Sequence, residues 1–221
     1  METHQEVAIV IPAKNEENTI SEIVRSFSGV AEVILVNDCS IDRTEFLASE
    51  NGAFTISNKQ TLGYEKSIEI GLKTAYERGY KFAITMDADG QHSSEDAMKI
   101  INFFYEGFDL ILGKRDKCAR ISEYIFKFFS KIIWEIDDPL CGLKGYNLAL
   151  SKQMNFFNAK DSMGSFLAIK LIFRKVKFKE ISVKINNRID SPRMGNWIIS
   201  EIKILQALIN TFISFYKIKK K

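Results

Sequence analysis

Short apolar runs alternate with stretches of helical periodicity along the first half of this chain. Residues 7–11 (VAIVI) are continuously apolar, as a strand buried on both faces is, and Pro12 is expected to end the run. Residues 17–27 place Ile20, Ile23, Val24 and Phe27 at helical spacing, with Asn15 or Asn18 available as a cap. A second strand over 33–36 breaks into Asn37-Asp38-Cys39-Ser40, a turn before a helix over 43–50, and 54–56 is a third short strand. Leu62-Gly63 precedes a helix over 64–78 with Ile68, Leu72, Ala75 and Tyr76 on one face, and Gly79 stands where a C-cap glycine ends such a helix. Residues 82–86 form a fourth strand. Ser93 and Ser94 ahead of Glu95 and Asp96 predict a capped helix through Phe104, and 109–112 a fifth strand. Strand and helix in regular alternation predict βαβ units: a single α/β domain with a mostly parallel sheet flanked by helices.

Beyond Arg120 the pattern turns aromatic and basic. Tyr124, Phe126, Phe128, Phe129 and Trp134 fall in one predicted helix that is apolar on most sides, and so is either buried or faces something greasy. A loop over 137–142 leads to a strand or turn at 143–146, then a helix over 166–174 and an alternating strand over 179–185 with Ile181, Val183 and Ile185 on one face. Residues 197–216 repeat Ile198, Ile202, Leu205, Ile209 and Phe212 every three or four positions, an amphipathic helix rather than a span. Core packing or subunit contact, as in a homo-oligomer, is the favoured use of that face; the basic KIKKK after it keeps attachment to a membrane surface open. No internal repeat or disordered linker interrupts the chain.

With 221 residues there is material for one sizeable core. A net charge of +3 is too small to point to nucleic acid. Cys39, Cys118 and Cys141 are odd in number and widely spaced, which indicates neither a disulfide framework nor a zinc site and fits a reducing compartment. METHQE carries no basic leader, and no stretch reaches the length of uncharged apolar residues a membrane helix needs. The expectation is a cytoplasmic protein, with peripheral contact at the inner face of the membrane, or a membrane-protein partner, as the further option.

Candidate chemistry gathers at FAITMDADGQH, residues 82–92. A strand that breaks into Asp-x-Asp delivers two carboxylates, Asp87 and Asp89, to the rim where open α/β sheets bind ligands, and Gln91 adds a neutral oxygen. Such donors suit a hard divalent cation that keeps waters and shares phosphate oxygens with a nucleotide. By itself the pair reads more readily as a solvated turn than as a cation site; His92 reads as a polar turn residue, and Met86 and Met98 as core fillers.

Three strand ends change those odds: VAIVIPAKNEE (7–17), VILVNDCSIDRT (33–44) and ITMDADGQH (84–92). In that order and spacing they resemble the family 2 glycosyltransferases of the GT-A fold, in particular the polyprenyl-phosphate mannose or glucose synthases. The likeness runs on through LGYEKSIEIGLKTAYERGY (62–80), ILGKR (111–115), DPLCGLKGYN (138–147) and KEISVKINNR (179–188), and covers residues 6–196. It implies a donor-binding half over 6–115, an acceptor side over 116–196 and a C-terminal amphipathic helix over 197–217 within one domain.

Carried over residue by residue, the resemblance implies that Pro12, Ala13, Asn15 and Glu16 line a nucleoside diphosphate sugar and that Asp38 accepts hydrogen bonds from the base. Asp87 and Asp89, with Gln91, would hold Mg²⁺ or Mn²⁺ against the diphosphate. Asn37 stands where the family has the first of two aspartates, and either shapes the turn or alters how the base is read. On the acceptor side, Arg115, Arg120, Arg188 and Arg193 are the candidates for gripping a polyprenyl phosphate, because Arg binds phosphate through two donors at once. Asp138, with Asp137 beside it, is the candidate base if the acceptor is instead a glycan hydroxyl. RIDSPRMGNW (188–197) departs from the family's usual Arg, spacer and Gly-x-Ser-Lys, so the register of the arginine stays open. A non-catalytic module that only binds nucleotide sugar is the remaining alternative.

Overall fold

In the computed structural model, which describes residues 6–118, 120–153, 163–186 and 197–219, the apolar runs become one seven-stranded sheet. The elements in chain order are β1 (Val7–Ala13), α1 (Ile20–Ser26), β2 (Glu32–Asn37), α2 (Thr44–Glu50), β3 (Phe54–Ser57), α3 (Tyr64–Glu77), β4 (Phe82–Thr85) and α4 (Ser94–Tyr105). They continue with β5 (Leu110–Arg115), α5 (Ile121–Trp134), β6 (Lys144–Asn147), α6 (Leu148–Gln153), α7 (Met163–Phe173), β7 (Phe178–Val183) and α8 (Trp197–Lys219). Across the sheet the order is β3-β2-β1-β4-β6-β5-β7. Every pairing is parallel except those of β6, which runs antiparallel to both β4 and β5. The chain steps outward from β1 to β3 and then returns to place β4 on the other side of β1. That reversal opens a crevice at the carboxyl ends of β1, β2 and β4, where such sheets bind ligands.

The two-residue period of β1 divides the core. Val7, Ile9, Ile11 and Ala13 face a layer built on α1 and α4 with Ile20, Phe27, Ile100 and Phe104. Ala8 and Val10 face Ile68, Leu72 and Ala75 of α3, on the side that also receives Phe126, Trp134, Leu167, Leu171 and Leu208.

The structure departs from the sequence expectations at identifiable points. Pro12 does not end β1, which pairs with β2 through Ala13 opposite Asn37. The Val10 carbonyl bonds Met86 on the β4 side and the Ala13 carbonyl bonds Asp38 on the β2 side. Alternation therefore turns the Pro12 nitrogen toward β4, whose pairing with β1 has already stopped at Thr85, so no ladder bond is lost. The N-cap of α1 is Thr19, not an asparagine, and no side chain closes the cap. Ser93 does cap α4, accepting from the Asp96 N–H at 3.2 Å. Gly79, at φ +89°, follows α3 in the left-handed conformation that its missing Cβ allows. Ile185 lies outside β7 and is exposed, and the short α6 was not expected.

Candidate active site

At the carboxyl ends of β1, β2 and β4 lies a cavity of ≈ 510 Å³. Pro12, Ala13, Lys14 and Glu16 line it from the end of β1, Asp38 from β2, and Asp87, Ala88 and Asp89 from β4. Thr61, Gly63, Tyr64 and Ser67 close one side and Leu140 and Gly142 another. Six of the residues expected at a nucleotide site thus meet in one place, although they come from three separate strands.

Polar contacts between loops build the walls. Asp38 accepts the Leu62 N–H at 2.7 Å, the Gly63 N–H at 2.9 Å and the Asn58 amide at 3.0 Å. Burial alone would raise its carboxyl pKa, but these donors and Lys14 outweigh burial and hold it below the usual value. Both Asp38 oxygens are therefore engaged in ordering residues 58–63 beside the cavity that Asp38 lines. Asn15, at φ +51°, accepts the Ile41 N–H at 2.8 Å, braces the 39–41 loop and lies outside the residues that line the cavity. Asn37 donates to Glu45 at 3.0 Å and Ser57 at 3.1 Å and accepts the Ser40 N–H at 3.0 Å, so its side chain shapes the turn and points away from the cavity lining. An aspartate there would set a second carboxylate against Glu45; the asparagine avoids that.

The β4 rim is held from several sides. Asp87 takes the Tyr64 hydroxyl on Oδ1 at 2.7 Å and has His92 Nε2 3.4 Å from Oδ2. Burial pushes the Asp87 carboxyl up, but His92, Tyr64 and the buried Lys144 more than compensate and keep it below the usual range. Gly142 lies so close that a Cβ on it would fall 2.2 Å from Asp87 Oδ2. Only glycine lets the turn before β6 close over this carboxylate. Thr19 donates to the Ala88 carbonyl at 2.6 Å, fastening the start of α1 to the same loop, and Asp89 Oδ1 accepts the Gln91 N–H at 3.1 Å.

Two carboxylates one residue apart at a cavity suit a cation that completes its shell with water and phosphate oxygens. Among the described residues no group of three or more His, Cys, Asp or Glu could enclose a metal. Asp87 and Asp89 fit such a water-sharing cation; Gln91 sits next to Asp89 but outside the cavity lining. His92, expected as a polar turn residue, is buried against Asp87.

Of the acceptor-side candidates among the described residues, Arg115, Arg120, Asp137 and Asp138 do not line the cavity. Arg115 forms a two-donor pair with Asp138, Nε to Oδ2 at 2.8 Å and Nη2 to Oδ1 at 3.0 Å, and has Glu123 at 3.4 Å. Asp138 is wholly buried and also has Lys127 at 3.4 Å. Burial would raise its carboxyl pKa, but Arg115, by hydrogen bond and charge, and Lys127 bring it below the usual value. In this arrangement Arg115 and Asp138, expected as a phosphate grip and a candidate base, are paired with each other. Asp137 is ion-paired too, with Lys114 and Lys131. Arg120 meets Glu123 at 3.2 Å, while its Nε has no hydrogen-bond partner among the described residues. Arg188 and Arg193 lie outside the described residues.

Sequence reasoning missed Tyr64, Ser67, Leu140 and Gly142 as cavity residues. They lie in the LGYEKS and DPLCGLK stretches, whose likeness to the family was visible, but their meeting with β4 is a tertiary event.

Comparison with known proteins agrees with this geometry. The family model described as Glycosyl transferase family 2 matches residues 8–167. The uncharacterized protein MJ1222 of Methanocaldococcus jannaschii is 27% identical, with 92% of this chain and 91% of the relative covered. UDP-N-acetylglucosamine–dolichyl-phosphate N-acetylglucosaminyltransferase of Methanococcus voltae is 30% identical over 50% of this chain and 52% of its own, so only about half of that enzyme is spanned. Among solved structures, glucosyl-3-phosphoglycerate synthase from Mycobacterium tuberculosis, in complex with Mn²⁺, uridine diphosphate and phosphoglyceric acid, superposes with a TM-score of 0.74 at 19% identity. It covers 96% of this chain and 78% of the other, and shares the fold.

Proposed function

The chain belongs to glycosyl transferase family 2, and on that premise we propose that it moves a hexose from a nucleoside diphosphate sugar to a polyprenyl phosphate, with inversion and with Mg²⁺ or Mn²⁺. The observation that carries the donor side is the convergence of Asp87 and Asp89 on a cavity walled by Pro12, Ala13, Lys14, Glu16, Thr61, Gly63, Tyr64 and Ser67. When bound there, a divalent cation offsets the negative charge that grows on the leaving diphosphate, an effect worth several kcal/mol. The protein's part is to hold two carboxylates ready. Tyr64 and His92 fix Asp87, the Gln91 amide fixes Asp89, and the Asp38-ordered loop closes the side of the cavity. The Mn²⁺ and uridine diphosphate bound by the solved relative support this reading of the donor.

Support for the acceptor class comes from the pairing of Asp137 and Asp138. A sugar hydroxyl needs a base to become a nucleophile, whereas a lipid phosphate is already anionic at neutral pH. The two carboxylates that precede the Gly142 turn in the chain are both spent on cations, which favours the acceptor that needs no base. The dolichyl phosphate in the name of the M. voltae relative points the same way. Incubation with a panel of labelled nucleotide sugars, Mn²⁺ and a polyprenyl phosphate is expected to yield a lipid-linked sugar. Product from none of the donors, with transfer to a saccharide instead, refutes the acceptor assignment.

A further inference from the structure

A buried lysine stands where β6 meets the end of β4. Lys144 opens β6 opposite Thr85 and is only 4% exposed, a degree of burial that a charged side chain seldom reaches unless its charge is matched. Its ammonium donates to the Cys141 carbonyl in the turn that precedes β6. Burial pushes its pKa down, while Cys141, Glu65, Asp138 and Asp87 draw it back up, so one carboxylate from each aspartate pair acts on the same charge. The influence is mutual, because Lys144 is among the groups that keep the Asp87 carboxyl below its usual range.

The turn is gripped along its carbonyls. Ser165 of α7 donates to Pro139 at 2.7 Å, Thr85 of β4 to Gly142 at 2.9 Å and the Gly113 N–H of β5 to Leu143 at 2.9 Å. Lys144 supplies the donor for Cys141, and it is the charged one among them. Held in this way the turn is a fixed wall, and at Gly142 its backbone stands so close to Asp87 that a methyl group would not fit between them. Any slack in the turn therefore reaches the carboxylate.

We propose that Lys144 is a positioning residue: through the Cys141 carbonyl it holds the turn over 139–143 against Asp87 and so sets how that carboxylate faces the cavity. Lys144 does not itself line the donor cavity and acts through the turn. Its value to the reaction rests on Asp87 serving as a metal carboxylate; its hold on the turn does not. A partner that orients a metal ligand from behind commonly changes metal affinity without touching the metal. An arginine can take the place of Lys144, because a second cavity of ≈ 70 Å³, which it lines with Tyr64, Thr85 and Ser165, has room for the larger guanidinium.

The experiment is a double-variant cycle between Lys144→Met and Gly142→Ala in the full chain, read in two ways. In calorimetric titration with uridine diphosphate and Mn²⁺, Lys144→Met is expected to bind about 10- to 100-fold more weakly than wild type. Its affinity for uridine diphosphate without Mn²⁺ should be unchanged, and Lys144→Arg should recover most of the loss. In unfolding without any ligand, Gly142→Ala is expected to lower the midpoint of the wild type and to lower that of Lys144→Met by less, because the released turn can withdraw from Asp87. Should Lys144→Met not fold, Lys144→Gln, neutral and one atom shorter, takes its place with the same expected losses. If wild type gains no affinity from Mn²⁺, the metal reading of Asp87 and Asp89 fails, and the unfolding cycle still decides for or against the hold on the turn. The proposal is overturned if Gly142→Ala costs the same in both backgrounds, if Lys144→Met keeps the wild-type gain from Mn²⁺, or if Lys144→Arg loses as much as Lys144→Met.

Discussion

Two aspartate pairs sit at the rim of the same sheet and do opposite things. Asp87 and Asp89, after β4, are oriented by a phenol, an imidazole and a backbone N–H. Asp137 and Asp138, before β6, are matched by Lys114, Lys131, Arg115 and Lys127. A carboxylate positioned by hydrogen-bond donors beside a cavity keeps its charge for a ligand, whereas one paired with cations has already used it. Residue type and place on the sheet are the same in both pairs; the partners decide whether the charge is left facing a cavity or taken up within the fold.

The sharpest way to break that comparison is to remove one charge from each pair. Asp138→Asn strands Arg115 in a buried site and is expected to cost about 3–5 kcal/mol of stability, read by chemical or thermal unfolding. Asp89→Asn, by contrast, should leave the unfolding midpoint unchanged or raise it, because a site poised for a ligand is not optimised for stability. Equal destabilisation by the two would show that both pairs are structural. Next in size is Gly142→Ala. Its methyl must displace the Asp87 carboxylate, so about 1–3 kcal/mol of strain is expected, together with a higher Mn²⁺ requirement in the transfer assay; an unchanged metal requirement would mean that Gly142 does not set the position of Asp87.

A smaller effect tests the donor-side turn. Asn37→Asp places a carboxylate against Glu45 and should destabilise by about 1 kcal/mol, a loss that Glu45→Gln restores in the double variant. Smallest per group is the acid limb of the stability curve. The folded-state pKa values of Asp38, Asp42, Asp87, Asp137 and Asp138 all lie below the ordinary 3.8. The unfolded chain therefore binds more protons than the native one in this range. The stabilisation is complete above that value and is lost as pH falls through the lower native pKa values. Unfolding free energy measured between neutral pH and pH about 3 should fall on acidification, and less steeply in Asp138→Asn than in wild type.

Much of the fold was legible because its signals are local. The apolar runs of β1, β2, β4 and β5, the helical spacing of α3 and α4, the Ser93 cap and Gly79 each depend on neighbours within a few residues. Pro12 was misread because its cost depends on where a different strand stops, 73 positions later in the register that pairs Val10 with Thr85. For the site, the Asp-x-Asp and the residues around Pro12 were visible as motifs, but the Arg115–Asp138 pair was not. Each residue looked free in sequence, and 23 positions separate them. The α5 pattern showed a helix apolar on most sides without showing which side faces outward, since only the placement of its serines against the core settles that.

The central claim is that Asp87 and Asp89 bind the donor's diphosphate through a divalent cation. Calorimetric titration of wild type and Asp89→Ala with uridine diphosphate, each with and without Mn²⁺, tests it most directly. Wild type with Mn²⁺ should bind at least about tenfold more tightly than the other three combinations, a difference of about 1.4 kcal/mol or more. Equal affinity in all four would contradict it.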